Sequence, residues 1–113
     1  MSVTIGQVWN EYSFRYNNQR KIIRMSDGVL FVFVYAQVTD GGSNSIAYKK
    51  SEDAGQTWDA SWSQLWVGTT HYSFDIYLNS DDSFSVLRST STTLTYTKFT
   101  YNNITKMLVA RNV

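Results

Sequence analysis

The side chains that most often carry out acid-base, nucleophilic or metal chemistry are scarce in this chain of 113 residues. Cysteine is absent, His71 is the single histidine, and the only glutamates are Glu11 and Glu52. Glycoside hydrolysis needs two carboxyl groups at a defined separation, and a transition-metal site needs several nitrogen or sulfur ligands. The sequence offers neither set, so it predicts a protein that is not an enzyme and that uses no metal and no cofactor.

The most distinctive polar cluster is the octet Ser51–Trp58, which reads Ser-Glu-Asp-Ala-Gly-Gln-Thr-Trp. An aspartate accepts backbone N–H groups from residues just ahead of it, and a glycine two positions later adopts a positive φ at no steric cost. The serine hydroxyl can join the same local network. Because the flanking sequence alternates apolar and polar residues, the octet predicts a hydrogen-bonded corner between two antiparallel strands.

The elements that would position these residues are all predicted to be β-strands. No window of about eleven or more residues has the apolar spacing of an amphipathic helix. Runs of β-branched and aromatic residues alternate with polar turns, and the Lys49-Lys50 pair is expected to be an exposed edge that discourages strand addition. The predicted strands cover residues 2–9, 20–25, 29–36, 45–50, 61–67, 71–78, 84–88, 94–100 and 104–111.

The second half of the chain repeats the strand pattern of the first half. The segment 94–98 aligns with 46–50, and the turn that ends at Phe84 aligns with the turn that ends at Val29. These two alignments differ in offset, and the difference falls in the loop between the second and third strands, where insertions cost least. The sequence therefore predicts two four-stranded units in one chain.

The octet itself is not repeated in the second unit. The alignment of 94–98 with 46–50 places Tyr101 at the position of Asp53 and Lys106 at that of Trp58. The second unit is therefore expected to keep the strands and to lose the hydrogen-bonded corner.

The octet resembles the Asp-box, S-x-D-x-G-x-T-W, of the sialidase-like (bacterial neuraminidase repeat) β-propellers, and it matches at Ser51, Asp53, Gly55, Thr57 and Trp58. In that family the motif lies at the blade periphery, between the third and fourth strands and away from the central cavity. The resemblance implies an all-β fold of antiparallel four-stranded blades, and it gives the five residues a structural role. It divides the chain into an N-terminal strand and connecting loop at 1–19, a first blade at 20–67 and a second blade at 68–113.

Two blades do not complete a propeller, because each blade packs both of its faces on neighbours. Leaving blade-sized faces in water would forgo on the order of 10 kcal/mol. Either the chain is a piece of a longer propeller protein, or identical chains close a ring by head-to-tail contacts. Propellers of this family usually have six blades, so a homotrimer is the favoured expectation. The N-terminal strand would pair with a blade of the neighbouring chain, or it would be a frayed terminus.

Arg20 and Asp75 are the charged residues that the resemblance would place in the central channel, because the first strand of each blade lines it. The alignment of Phe84 with Val29 sets Arg20 opposite Asp75, so a threefold ring would alternate their charges. The result is either a pocket for a zwitterionic or sugar ligand or a solvated lining. Arg20 also resembles the first arginine of the sialidase triad, although Lys21-Ile22 stands where that family has Ile-Pro.

Aromatic residues provide the other candidate binding surface. Trp62 and Trp66 lie four residues apart in one predicted strand, so they are expected to share a face. Aromatic platforms beside Asn, Asp and Ser hold sugars in lectins, and the alternative role is packing between blades. His71, at the start of a strand, is either a ligand contact or an ordinary surface residue. The predicted ligand-binding set is Arg20, Asp75, Trp66, Tyr72 and His71.

The net charge of +1 gives no electrostatic reason for binding nucleic acid or a membrane. The chain has no leader-like segment and no apolar run of spanning length, so it is expected to be soluble, in a compartment that the sequence does not specify. The sequence thus predicts a non-catalytic propeller module that acts as an oligomeric binding or scaffold protein. A glycan is the expected ligand, as in lectin-like or phage surface propellers. The alternative is a fragment or remnant of a sialidase-like glycoside hydrolase.

Overall fold

The computed structural model describes residues 2–9, 22–67, 73–89 and 92–111, and these residues form β-strands and connecting segments. No helix occurs in these ranges, so none of the described residues forms a helix that could cross a membrane. The all-β prediction is confirmed. The strands are β1 Ile22–Arg24, β2 Leu30–Gln37, β3 Asn44–Ser51, β4 Ser63–Val67, β5 Ser73–Leu78, β6 Ser83–Ser89, β7 Leu94–Asn102 and β8 Met107–Arg111.

These strands form two four-stranded antiparallel sheets. Sheet 1 has the order β1-β2-β3-β4, and sheet 2 has the order β5-β6-β7-β8. Every neighbouring pair is antiparallel and is joined by the chain that directly links its two strands. The predicted pair of four-stranded units is therefore present. Two sheets do not close a ring, so the described residues do not form a propeller by themselves.

The main core lies between the two sheets. Alternate residues of β2, namely Phe31, Phe33 and Tyr35, point toward sheet 2 and are buried there. The ring of Phe33 meets that of Phe84 at 5.5 Å, and the ring of Phe31 meets that of Tyr101 at 5.6 Å, both edge to face. Such pairs add to the free energy that burial of apolar surface provides.

The other face of sheet 1 is covered by residues 2–9. Val8 and Trp62 pack there on a second apolar cluster. The N–H of Trp9 donates to the carbonyl of Gln37 at 2.8 Å. The cluster consists of Val34, Ala36, Val38 and Ala47, so β2 is buried on both faces, as its unbroken apolar run predicts.

The prediction of a strand at residues 2–9 is wrong. The carbonyl of Ile5 accepts from Lys49 Nζ at 3.1 Å, and that of Gln7 accepts from Trp62 Nε1 at 3.0 Å. These two carbonyls thus accept from side chains, and residues 2–9 form no strand. The segment covers a sheet of its own chain.

Backbone pairing corrects the alignment of the two units by one position. Arg24 pairs with Leu30 in sheet 1, and Leu78 pairs with Phe84 in sheet 2, so Phe84 corresponds to Leu30 and not to Val29. The turns agree, since Gly28 and Asp82 then occupy equivalent positions and have positive φ values of 91° and 59°. The third strands keep the alignment read from the sequence. Asp75 therefore corresponds to position 21, outside the described residues, and not to Arg20.

This correspondence defines the same two faces in each sheet. The front face of sheet 1, which carries Phe31 and Phe33, is turned toward sheet 2. The equivalent positions of sheet 2 are Ser85 and Leu87, and they are turned away from sheet 1, since the intervening Val86 lies in the core. The front face of sheet 1 thus packs on the back face of sheet 2. The two sheets repeat head to tail, and they are not related by a twofold axis.

Gly6 permits the close approach of residues 2–9 to sheet 1. A Cβ atom at this position would lie 2.8 Å from Lys49 Nζ and 3.1 Å from Trp62 Cζ2. We expect Gly6→Val to lift the segment and to lower the free energy of unfolding by about 1–2 kcal/mol, as overpacking does. Urea unfolding followed by tryptophan fluorescence measures this. Thr4→Val, at an exposed position of the same segment, is the control, and equal midpoints for the two variants would contradict the prediction.

Candidate functional site

The structure describes two of the five residues in the predicted ligand-binding set. Arg20, His71 and Tyr72 lie outside the described residues. Asp75 is on the exposed front face of sheet 2, whereas Trp66 lies between the sheets, against the back face of sheet 2. The structure therefore does not bring Asp75 and Trp66 into one site.

Trp66 packs in the interface between the sheets. Its ring meets that of Phe99 edge to face at 5.7 Å, and the guanidinium carbon of Arg88 lies 4.4 Å from the ring centroid. Burial lowers the pKa of Arg88 from its ordinary value, and a cation over an indole is favourable in such a setting. The surroundings of Trp66 are those of a packing residue.

Trp62 and Trp66 point to opposite faces of sheet 1, so the prediction that they share a face is wrong. The register between β3 and β4 shifts, because Ile46 pairs with Trp66 while the next residue, Ala47, pairs with Gln64. Leu65 is the extra residue of this bulge. An extra residue reverses the alternation of side chains, so Trp62 reaches the back face while Trp66 reaches the front face.

The octet forms a closed hydrogen-bonded corner between β3 and β4. Ser51 Oγ accepts from the N–H of Gly55 at 2.8 Å and donates to Asp53 Oδ1 at 2.8 Å. The Asp53 carboxylate also accepts the N–H of Thr57 at 2.8 Å and its hydroxyl at 2.5 Å. Gly55 has a φ of 93°, and its carbonyl accepts from Trp58 Nε1 at 3.0 Å. All five residues of the motif take part in one local network.

The electrostatics of the corner follow from these bonds. The hydroxyl of Thr57, then its N–H and the hydroxyl of Ser51, lower the pKa of Asp53 from 3.8 to about 2. The acceptor oxygens of Asp53 are directed at donors of its own turn. The hydrogen bonds of this carboxylate are those of a residue that holds the corner together.

A second polar cluster, which the sequence did not predict, joins the two sheets at one end. We call it the turn junction; it consists of Ser26, Asp27, Asp82, Tyr101 and Lys106. Asp82 accepts the N–H of Ser26 at 2.9 Å and its hydroxyl at 2.5 Å. Asp27 Oδ2 accepts the hydroxyl of Tyr101 at 2.9 Å and the ammonium of Lys106 at 2.7 Å. Each sheet thus contributes an aspartate that the other sheet binds.

The turn junction shifts the pKa values of two of its members, Asp27 and Tyr101, in opposite directions. Burial raises the pKa of Asp27, but hydrogen bonds from Lys106, the N–H of Val29 and Tyr101 outweigh it, so the pKa lies below its ordinary value. Burial, followed by the bond to Asp27, raises the pKa of Tyr101 above its ordinary value. Asp27 is therefore an anion, and Tyr101 is a neutral donor, throughout the neutral pH range.

The front face of sheet 2 is an exposed apolar surface. Tyr77 is 70% exposed and Leu87 is 44% exposed, whereas their equivalents in sheet 1, Ile23 and Phe33, are 4% and 0% exposed. The difference arises because sheet 2 covers the front face of sheet 1. In full, Tyr77 corresponds to Ile23, Leu87 to Phe33, Leu94 to Ile46 and Tyr96 to Tyr48.

A shallow depression of about 220 Å³ lies on this face. Tyr77, Leu87 and Tyr96 form its apolar part, and Asp75 and Ser85 provide polar groups. The hydroxyls of Ser85 and Tyr96 are hydrogen-bonded at 2.7 Å. Asp75 is the one carboxylate among the described residues that line the depression, so they do not form a carboxyl pair for hydrolysis.

Comparison of the chain with protein-family models, with curated proteins and with solved structures gives no match. Among the described residues there is no group of three or more metal-ligating side chains. The chemistry of the described surfaces is therefore the basis for assigning a function.

The corner predicts a specific response to acid. Asp53 has a lower pKa in the folded state than its ordinary value of 3.8, so its contribution to stability is complete above that value and is lost as the pH falls toward about 2. We expect the Tm of the unmodified protein to fall more steeply between about pH 4 and 2 than that of Asp53→Asn. Calorimetry at stepped pH measures this, with Asp40→Asn in an exposed loop as the control. Parallel curves for the unmodified protein and Asp53→Asn would disprove the assignment.

The contacts of the turn junction predict that removing the hydroxyl of Tyr101 lowers the free energy of unfolding. Tyr101→Phe leaves the ring packed but removes the donor to Asp27, so the free energy of unfolding should fall by about 1–2 kcal/mol. Tyr96→Phe removes a hydroxyl from an exposed ring and should cost less. Denaturant unfolding of both variants makes the comparison. The junction is not stabilising in the way described if Tyr96→Phe costs as much as Tyr101→Phe.

Proposed function

We propose that the chain is a non-catalytic binding or scaffold module of the propeller type, and that it assembles through the front face of sheet 2. One observation carries the proposal. Four positions that build the inter-sheet core on the front of sheet 1 have large apolar residues at the equivalent positions on the front of sheet 2. In sheet 1 these positions are covered by the back face of another four-stranded sheet.

The energetics of the exposed face favour a partner. Burying one large apolar side chain contributes roughly 1.5–3 kcal/mol. The exposed face presents the side chains of Tyr77, Leu87, Leu94, Tyr96, Met107 and Val109. Covering them would contribute on the order of 10 kcal/mol before the entropy of association is subtracted, which is enough for a stable contact.

A second copy of this chain is the partner that the head-to-tail repeat favours. Its back face would cover the front face of sheet 2, as the back face of sheet 2 covers the front face of sheet 1. Three copies would supply the six blades that the resemblance implies. Because residues 2–9 lie on the back face of sheet 1, they would have to join this interface or leave it. A further sheet of a longer chain is the alternative occupant.

A second function, glycan binding, is favoured by the depression on the same face. The rings of Tyr77 and Tyr96, with Asp75 and the Ser85 hydroxyl beside them, match the aromatic and polar groups that hold a sugar ring. The two functions exclude each other at this surface, because an assembled sheet would cover the depression. The glycoside-hydrolase alternative gains no support from it, since a single carboxylate lines it among the described residues.

Light scattering coupled to size exclusion tests the assembly. We expect the unmodified chain to have a mass of at least two times 13.0 kDa, and the double variant Tyr77→Ser/Leu87→Ser to have the monomer mass of 13.0 kDa. Ile104→Ser changes an apolar residue that is 87% exposed in the β7–β8 turn and should leave the mass unchanged. A 13.0 kDa particle at every concentration of the unmodified chain would refute self-assembly.

A glycan array separates the second function from the first. Binding that Asp75→Asn removes, by a protein that stays monomeric, would favour the sugar site. If no glycan on the array is bound and the mass of the protein rises with its concentration, the scaffold function is supported and glycan binding is not.

A further inference from the structure

A larger cavity, of about 330 Å³, lies on the opposite side of the molecule, between residues 2–9 and the back face of sheet 1. It is separate from the front face of sheet 2, but it lies on the back face of sheet 1, which a second copy would also use in the proposed assembly. Its volume is at the lower end of the range of about 300–1,000 Å³ that is usual for small-ligand sites. The lining residues that matter chemically are Gln7, Trp9, Lys49, Ser61, Trp62 and Gln64.

Lys49 is the chemically unusual member of this lining. Lys49 is only 5% exposed, so the prediction of an exposed edge pair at Lys49-Lys50 is wrong. The ammonium donates to the carbonyls of Ile5 at 3.1 Å and of Ala60 at 3.4 Å, and it lies 5.1 Å from the centre of a ring of Trp62. None of the ion pairs among the described residues includes Lys49.

A buried cation with no counter-ion among the described residues is costly to the fold. Removing a charge from water costs several kcal/mol, and carbonyl dipoles and an indole ring compensate for only part of it. An ammonium has three N–H donors, and the two carbonyls occupy two of them. The remaining donor and the uncompensated charge favour an anion in the adjoining cavity.

The rest of the lining favours a sugar ring as the carrier of that anion. The indole N–H of Trp62 donates to the carbonyl of Gln7 at 3.0 Å and holds the ring in place. The backbone N–H of Trp9 donates to the carbonyl of Gln37 at 2.8 Å. Indole faces pack against the C–H faces of sugars, and amide and hydroxyl groups such as those of Gln64 and Ser61 bond to sugar hydroxyls.

We infer that this cavity binds an anionic hexose unit, whose carboxylate or sulfate group pairs with Lys49 and whose ring packs on an indole. The ligand would bind between the N-terminal segment and sheet 1, and it would hold the segment in place. No covalent step is involved.

The test uses the four tryptophan side chains of the chain as reporters. The 113-residue chain, labelled with ¹⁵N, is titrated with glucose 6-sulfate, glucuronate, glucose and sodium sulfate, and the indole N–H signals are followed by NMR. We expect the signals of Trp9 and Trp62 to shift and those of Trp58 and Trp66 to stay. Either anionic sugar should bind at least about tenfold more tightly than glucose or free sulfate.

Lys49→Met and Lys50→Met form the matched pair of variants. Lys50 pairs with Glu52 at 3.3 Å and does not line the cavity, so its variant should keep the affinity for the anionic sugar. Lys49→Met should lose at least about tenfold in affinity without a fall in Tm, because methionine fills the buried space without a charge. Trp9→Ala, at the partly exposed rim, should lower the affinity about fivefold or more. This variant tests the site if Lys49→Met does not fold.

Several outcomes would overturn the proposal. Equal affinity for glucose and for the anionic sugars would remove the role of Lys49. Equal affinity for sulfate and the anionic sugars would reduce the site to a general anion site. If the signals of Trp9 and Trp62 do not shift at high ligand concentration, the cavity does not bind these ligands. If Lys49→Met and Lys50→Met lose affinity for the anionic sugar equally, the binding does not depend on Lys49 in the cavity. A Tm that falls in Lys49→Met while the affinity is kept would show that the ammonium serves only the fold.

Discussion

The packing of the front face of sheet 1 on the back face of sheet 2 is the interaction on which the rest of the structure depends. Its rows of aromatic side chains place Phe33 against Phe84 and Trp66 against Phe99, and a buried contact of this kind requires the two sheets to lie in a fixed register. Because both sheets have the same strand order and their equivalent residues face the same way, the contact uses one front face and one back face. It therefore leaves a back face on one side of the molecule and a front face on the other. Residues 2–9 cover the first, and apolar side chains remain exposed on the second.

Polar groups at the ends of the third strands serve two different purposes. In sheet 1, Asp53 closes a corner within the sheet. At the equivalent position of sheet 2, Tyr101 binds Asp27 of the other sheet, and Lys106 of the following turn binds the same carboxylate. What the sequence shows as the loss of a motif is thus, in the structure, a contact that joins the two sheets. A motif search could not detect this, because the partner of Tyr101 and Lys106 lies in the other half of the chain.

The regular part of the fold could be predicted from local sequence, and its irregular part could not. Apolar alternation and turn residues gave eight strands, the corner and the alignment of the third strands, because these depend on neighbouring residues. The error of one position in the other alignment arose because Asp82 adopts the positive φ that Gly28 adopts in sheet 1, and an aspartate does not indicate this conformation uniquely. The bulge that separates Trp62 from Trp66 left no signal in the residue types. The burial of Lys49 was missed for a related reason, since a segment distant in sequence covers it.

The location of the turn junction at one end of the inter-sheet contact has a geometric consequence for any larger assembly. A tie at one edge of two packed sheets limits how far they can separate there, so the turn junction restrains the angle between sheet 1 and sheet 2. In a head-to-tail assembly of identical copies, the rotation from one copy to the next decides whether the assembly closes as a ring or continues as a helix. Asp27 and Lys106 would then affect the copy number of such an assembly, although neither belongs to the surface through which the copies would meet.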